Sequence, residues 1–277
     1  MIPPELKEIQ EEILNILFQS DVKLTAQGFI KEIKSRYSLS FSKAKKVLQG
    51  LVDDQELSYQ YLYGSTYVEK SFLKPVRISD HFILKPPWYI ESPTKNDIEI
   101  MIEPGISFGS GQHPTTRLCL NAIDFCFFEN KRIPFLPEQK CTGADIGTGS
   151  GVLAMAMCLA GLSSCEAYEI DPVSICEAKK NIDLNHLSGK IKVVEDSMKD
   201  SKNIFSIICA NLRYPTLASL SETIYSGLKE NGTAILSGFR EWEKDLVFNS
   251  YAEKGFDLVW QRDDKKWSAF VLVKKIG

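Results

Sequence analysis

Apolar residues at the start of the chain recur three or four positions apart: Leu6, Ile9, Ile13, Leu14 and Leu17 in PPELKEIQEEILNILFQ. That period predicts a helix with one buried face. Thr25 is placed to cap a second helix carrying Phe29, Ile30 and Ile33. Ser40 or Ser42 is placed to cap a third, with Ala44, Val47, Leu48 and Leu51 on one face. The pattern then changes to period two. ELSYQYLYGSTYVEK alternates around Gly64 and Ser65, which predicts a hairpin. Residues 76–100, VRISDHFILKPPWYIESPTKNDIEI, read as a connecting β segment with turns at KPP and SPT.

From Cys141 onward strands and helices alternate. CTGADIG is a strand running into a glycine turn, SGVLAMAMCLAG a helix and SCEAYEID a strand. DPVSICEAKKNIDLN is a helix, followed by the strands KIKVVED and FSIICANL. PTLASLSETIYSGL is a helix, GTAILSGF a strand, EKDLVFNSYAEKG a helix, and FDLVWQRDDKKWSAFVLVKK a closing hairpin. Such alternation implies an α/β domain over residues 101–277: a doubly wound, mainly parallel sheet covered on both faces, with an antiparallel C-terminal hairpin at its edge. Residues 1–75, with three short helices and a hairpin, are expected to form a small winged-helix-like α+β domain.

Composition narrows the function classes. The chain has 277 residues, 44% of them apolar and 25% charged, enough to bury a core without metals or disulfides. The formal net charge is -3, so no global field draws it onto nucleic acid or an anionic membrane. Lys43, Lys45 and Lys46 lie on the expected third helix, but residues 1–75 hold ten basic and ten acidic residues and are neutral. A nucleic-acid module carries a basic excess. The seven cysteines include no C-x-x-C pair, and three histidines complete no zinc spacing. Their apolar neighbours suit free buried thiols in a reducing compartment, so a cytoplasmic location is expected. The start shows no basic-then-apolar leader, and the longest apolar run, GVLAMAMCLAGL, is too short to span a bilayer. No membrane partner is expected.

The chemistry gathers at DIGTGSG, Asp145 to Gly151. Gly147, Gly149 and Gly151 stand where a strand turns tightly into a helix and a ligand can lie on bare backbone. No Lys-Ser or Lys-Thr follows, which excludes a P-loop. An acid first, then G-x-G-x-G, resembles motif I of the class I S-adenosylmethionine-dependent methyltransferases. A carboxylate there suits a ligand with an ammonium and a sulfonium and no phosphate. A second acid is expected at the end of the next strand, about twenty residues on, to hold ribose hydroxyls. Glu169 fits, whereas Asp171 fits the cap of the helix beginning at Pro172. Glu195 or Asp196, at the end of the third strand, is the candidate beside an adenine ring.

Upstream, IEPGISFGSGQHPTTRLCL places a second loop of small residues before any strand-turn-helix unit. Together with ADIGTGSGVLAMAM, EIDPVSICEAKKNIDLN, ANLRYPTLASL and LSGF, this segment resembles the ribosomal protein L-eleven lysine methyltransferase family over about residues 76–277. ISDHFILKPPW and KKWSAF are similar to that family's preceding strand and final hairpin. The resemblance implies S-adenosylmethionine as cofactor, contacted by Thr116, Gly147, Glu169 and Asn211. It also implies that Phe108, Gly109, His113 and Thr115 belong to a loop folding over the cofactor, Phe108 as a contact and His113 as a brace bonded to backbone. NLRY, Asn211 to Tyr214, is similar to the N-P-P-Y of amine and amide methyltransferases. There the Asn oxygen and a following carbonyl accept from the target nitrogen, so Asn211 and Tyr214 are the expected catalytic pair. The family's N-terminal module is a small α/β unit, from which residues 1–75 depart.

These readings together imply an N-methyltransferase acting on lysine or N-terminal amines of a protein, a ribosomal protein being the substrate the resemblance suggests. Two other classes are weighed beside it. One is a nucleic-acid amino-methyltransferase gripping its substrate with the N-terminal wing. The other is a non-catalytic module that binds the cofactor as a sensor or structural ligand.

Overall fold

The computed structural model describes residues 10–20, 22–62, 64–90, 97–103, 109, 111, 113–130, 140–198 and 201–275. It divides into two compact units, Met1–Lys74 and Pro75–Gly277.

The first unit contains helices α1 (Gln10–Gln19), α2 (Ala26–Arg36) and α3 (Phe41–Asp53), then strands β1 (Leu57–Leu62) and β2 (Ser65–Lys70). Local chemistry starts the helices where the pattern places them. Thr25 Oγ1 accepts from Gly28 N at 3.0 Å, and Ser40 Oγ, rather than Ser42, accepts from Lys43 N at 3.2 Å. The apolar stripes meet in one core, where Ile13, Phe29, Ile33, Val47 and Leu51 lose all contact with solvent. β1 and β2 pair antiparallel from Leu57↔Lys70 to Leu62↔Ser65, with Gly64 at the turn. Leu57 and Val68 bring the hairpin onto the helical core.

The second unit opens with β3 (Val76–Arg77), β4 (Phe82–Lys85) and β5 (Ile98–Met101), which form a three-stranded sheet of their own. Next comes α4 (Pro114–Asp124), continued by a π-helical turn at Phe125–Glu129 that no sequence pattern announced. The main sheet uses β6 (Thr142–Ile146), β7 (Ser164–Tyr168), β8 (Ile191–Val194), β9 (Phe205–Asn211), β10 (Leu228–Arg240), β11 (Phe256–Asp264) and β12 (Trp267–Lys274). Their order is β11-β12-β10-β9-β6-β7-β8. β10, β9, β6, β7 and β8 run parallel, while β12 and β11 close the sheet antiparallel. The expected doubly wound sheet with a C-terminal hairpin is thus present.

Helices α5 (Val152–Leu159), α6 (Pro172–Leu184), α7 (Tyr214–Ser219), α8 (Ser221–Gly227) and α9 (Lys244–Ala252) complete the unit. Val152 through Cys158 of α5 are all buried, which is why that run is apolar all round. The helix expected over PTLASLSETIYSGL is broken at Leu220 into α7 and α8. β6 is the first strand of the main sheet in chain order and lies at the middle of its five parallel strands, with β7 on one side and β9 on the other. Successive connections diverge there, and a crevice opens beyond the carboxyl ends of β6 and β9, where ligands of such sheets bind. Among the described residues, no helix is long and apolar enough to cross a membrane.

Candidate active site

A cavity of about 590 Å³ occupies that crevice. This is the volume of a site that encloses a drug-sized ligand. Strand ends line it: Ile146 and Gly147 after β6, Tyr168 and Glu169 after β7, Asn211 and Leu212 after β9.

The glycine loop forms one wall. Gly147 has φ 69° and borders the cavity, as does Gly149. Gly147 and Thr148 donate their backbone N–H to Tyr168 O at 2.9 and 3.0 Å, which ties the turn to the neighbouring strand end. A Cβ on Gly147 would stand 2.6 Å from Leu212 Cδ2, so the turn is also pressed against the segment after β9. Gly151 lies behind the wall, at the start of α5 and against Ala178 of α6, and does not border the cavity.

The two motif acids take different positions. Glu169 stands at the cavity edge. Its Oε2 accepts from Gly149 N at 3.0 Å, and its Oε1 accepts from Ile170 N and Asp171 N at 2.9 and 3.1 Å. Oε1 is thereby filled, and Oε2 has acceptor capacity left over for a ligand. Asp145, expected as a ligand contact, is fully buried and does not border the cavity, and its Oδ1 has no hydrogen-bond partner among the described residues. Its Oδ2 accepts from Thr148 Oγ1 at 2.6 Å and from Ala154 N at 3.2 Å, bracing the loop from behind. Burial pushes its carboxyl up to about 6, against the two hydrogen bonds, which pull it down. Asp171 caps α6, its Oδ2 accepting from Ser174 N at 2.8 Å. Of the acids after β8, Asp196 borders the cavity, whereas Glu195 pairs with Lys179 at 2.6 Å.

Asn211 ends β9 and borders the cavity, and its buried Oδ1 has no hydrogen-bond partner among the described residues. The register places Asn211 beside Ser237 of β10, and Leu212 N donates to Ser237 O at 2.9 Å. Gly238 follows at a bulge with φ 97°, directly against the backbone of Leu212. Tyr214, the expected partner of Asn211, packs against the hydrophobic core under β9 and β10 instead of bordering the cavity.

Of the covering loop, Phe108 lies outside the described residues. His113 borders the cavity and caps α4: its Nδ1 accepts from Thr115 N at 3.3 Å and lies 2.8 Å from Thr115 Oγ1. Thr115 also borders the cavity. Thr116 is buried one residue further into the helix, does not border it, and leaves Oγ1 unpartnered among the described residues.

Sequence reasoning missed several residues of the rim. Trp267, the first residue of β12, reaches the cavity because β12 pairs with β10 at Arg240↔Trp267. His113 meets its indole edge-on with ring centroids 4.8 Å apart. The Arg240 guanidinium lies 3.7 Å from the Trp267 ring centroid, and that of Arg213 lies 5.9 Å from it. KKWSAF was a signal for the hairpin, but nothing local to it indicates which strand receives it. No group of three or more His, Cys, Asp or Glu side chains suited to a metal occurs among the described residues.

Comparison with known proteins identifies what this arrangement is similar to. The family model described as Ribosomal protein L11 methyltransferase (PrmA) matches residues 14–275, beginning well upstream of the motif-bearing stretch. The protein of that name from Geotalea uraniireducens is 30% identical over 203 residues, covering 72% of this chain and 64% of the relative. That from Bacillus pumilus is 32% identical over 208 residues, covering 74% and 63%. The matched region thus spans just under two thirds of the length of these relatives. A crystal structure of a ribosomal protein L11 methylase from Lactobacillus delbrueckii subsp. bulgaricus superposes with a TM-score of 0.64 at 28% identity, over 73% of this chain and all of that one.

Proposed function

Because this chain belongs to the ribosomal protein L11 methyltransferase family, we propose that it transfers a methyl group from S-adenosylmethionine to lysine or N-terminal amines of a protein, ribosomal protein L11 being the first candidate substrate. The observation that carries this reading is the unpaired, buried Asn211 Oδ1 bordering the same cavity as Gly147, Gly149 and Glu169. A buried acceptor left unpaired costs about 1–3 kcal/mol. A ligand N–H entering the cavity supplies the missing partner.

The residues present fit the cofactor. Positive-φ glycines leave bare backbone along one wall, and no basic residue of the loop asks for a phosphate. Glu169 offers the open acceptor site of Oε2 at the edge, which suits a ribose hydroxyl. Ile170, Met198 and Leu220 add apolar surface to the cavity lining, which Asp196 shares. We assign the cofactor to Gly147, Gly149, Glu169 and Asp196, with Asp145, Gly151 and Thr116 supporting the loop, and the amine to Asn211, with Tyr214 anchoring the segment that carries it.

When bound, the cofactor supplies an electrophilic methyl group together with its own leaving group. The protein's part is alignment. Asn211 Oδ1 accepts one N–H of the amine, which turns the nitrogen lone pair toward the methyl carbon. A lysine must first lose its proton, at a cost of about 4–5 kcal/mol at pH 7. A cavity with an apolar wall and guanidinium groups at its rim favours the neutral amine and lowers that cost.

The three helices and hairpin of the first unit support a winged-helix-like module that contacts the substrate. Seven free thiols, five of them buried, support a reducing, cytoplasmic setting. The test is transfer of labelled methyl from S-adenosylmethionine into an unmethylated bacterial lysate. Label released by protease, in a band the size of a small ribosomal protein, is the expected result. Label released by nuclease would overturn the amine-of-protein reading.

A further inference from the structure

Two guanidinium groups gather at Trp267 on the cavity wall, Arg213 bordering the cavity and Arg240 beside it, and beyond their positive charge the proposed methyl transfer gives them no role. Arg213 is exposed, directly after the Asn211–Leu212 segment, and borders the cavity. Arg240 sits on the face of Trp267, 3.7 Å from its centroid, and 5.6 Å from that of Trp242, which is 67% exposed. Neither side chain has a carboxylate partner among the described residues. Both lie near indole rings, and a guanidinium stacked on a ring face still presents its N–H edge to an anion.

The position is unfavourable for the substrate unless something compensates. A lysine or N-terminal amine approaching Asn211 arrives as a cation and passes two others. Each such like-charge approach is repulsive. A carboxylate carried on the same substrate reverses the sign, since each arginine then gains a charge-assisted, bidentate partner.

We propose that Arg213 and Arg240, the latter carried on Trp267, form an anion-binding rim that selects polypeptide segments with an acidic residue close to the methylated amine. The inference rests on the proposed function for the location of the amine. A polypeptide carboxylate suits the rim better than a nucleic-acid backbone. Phosphate chains need an extended basic track, and here Glu241, Glu243 and Asp245 follow Arg240 immediately.

Binding is measured separately from methyl transfer, by fluorescence anisotropy of short labelled alanine-based peptides with one central lysine. In one the lysine is flanked by glutamates, in the other by glutamines. The glutamate peptide is expected to bind about tenfold more tightly at low salt, the ratio that one charge-assisted hydrogen bond supports. Arg213→Gln and Arg240→Gln should each remove most of that preference, and Arg213→Lys should restore part of it. Equal binding of both peptides, or a preference that survives both substitutions, overturns the rim. So does a single-stranded oligonucleotide that displaces the glutamate peptide with higher affinity. If the preference behaves as expected but no protein or peptide is ever methylated, the rim stands and the proposed transfer falls.

Discussion

Substituting Gly238 by Ala tests whether turnover depends on where the backbone after Asn211 is held. Gly238 has φ 97°, and an added Cβ would stand 2.3 Å from Leu212 O, 2.7 Å from its C and 2.8 Å from its N. These are backbone atoms, so no side-chain rotation relieves the contact. Reaching the 3.0 Å below which real Cβ contacts are essentially never found requires a shift of roughly 0.7 Å in one segment or the other. The strained φ costs on the order of 1–3 kcal/mol for a residue with a Cβ. Weakening the Leu212 N to Ser237 O bond adds about 1 kcal/mol. The expected loss of stability is therefore about 2–4 kcal/mol, read from urea unfolding. A misplacement near 1 Å at a reacting group lowers rate on the order of 100-fold. Turnover should fall by that order, while cofactor affinity, measured by titration calorimetry, should change only a few-fold because Gly149 and Glu169 belong to other strand ends. Gly255→Ala is the control. Gly255 has φ 96°, but its nearest neighbour for a Cβ is Tyr225 Cε2 at 3.6 Å, and it does not border the cavity. That variant should lose stability and keep its turnover. A Gly238→Ala protein that is folded and turns over within twofold of the parent would refute the reasoning.

Three further outcomes are expected. Asn211→Ala should lower turnover on the order of 100-fold and alter cofactor affinity much less, since one aligning acceptor is lost; equal losses in both measurements would move Asn211 to the cofactor wall. Glu169→Gln should raise the cofactor dissociation constant about tenfold, the cost of one charge-assisted hydrogen bond, with turnover at saturating cofactor retained. Asp145 titrates at about 6 in the folded protein against 3.8 ordinarily. Its proton is held more tightly in the folded state, so its contribution is fully present below pH 4 and is lost as pH rises through 6. The loss is on the order of 3 kcal/mol. The stability of Asp145→Asn relative to the parent, from urea unfolding between pH 4 and 7.5, should therefore improve as pH rises; a constant difference would show that Asp145 ionises freely.

Much of the fold is visible in short stretches of sequence because the forces that make it are local. Thr25, Ser40 and Asp171 cap helices, as their position before an apolar run implies, because a side-chain oxygen reaches an N–H only three residues away. The glycine turn ending at Gly151 and the Asp171-Pro172 pair mark where α5 and α6 begin after their strands. The break of one expected helix at Leu220 and the π-helical turn after Asp124 were not visible, because neither changes the hydrophobic period that announces a helix.

The site divides along the same line. The sequence by itself determined that a glycine turn bearing bare backbone would follow β6, that an acid would stand at the end of β7, and that Asn211 would end β9. Each depends on one strand and its own carboxyl end. Only the tertiary structure decided which way those groups face. Asp145 and Glu169 share a face by register, Asp145 pairing with Ala167, yet Asp145 lies within β6 and is buried behind the glycine loop, whereas Glu169 lies one residue past the end of β7 and stands at the cavity edge. Trp267 joins Asn211 at one rim because β12 pairs with β10 at Arg240 and β10 pairs with β9 at Asn211. Register between distant strands is set by the packing of whole faces, and no stretch of sequence short enough to be read as a motif contains it.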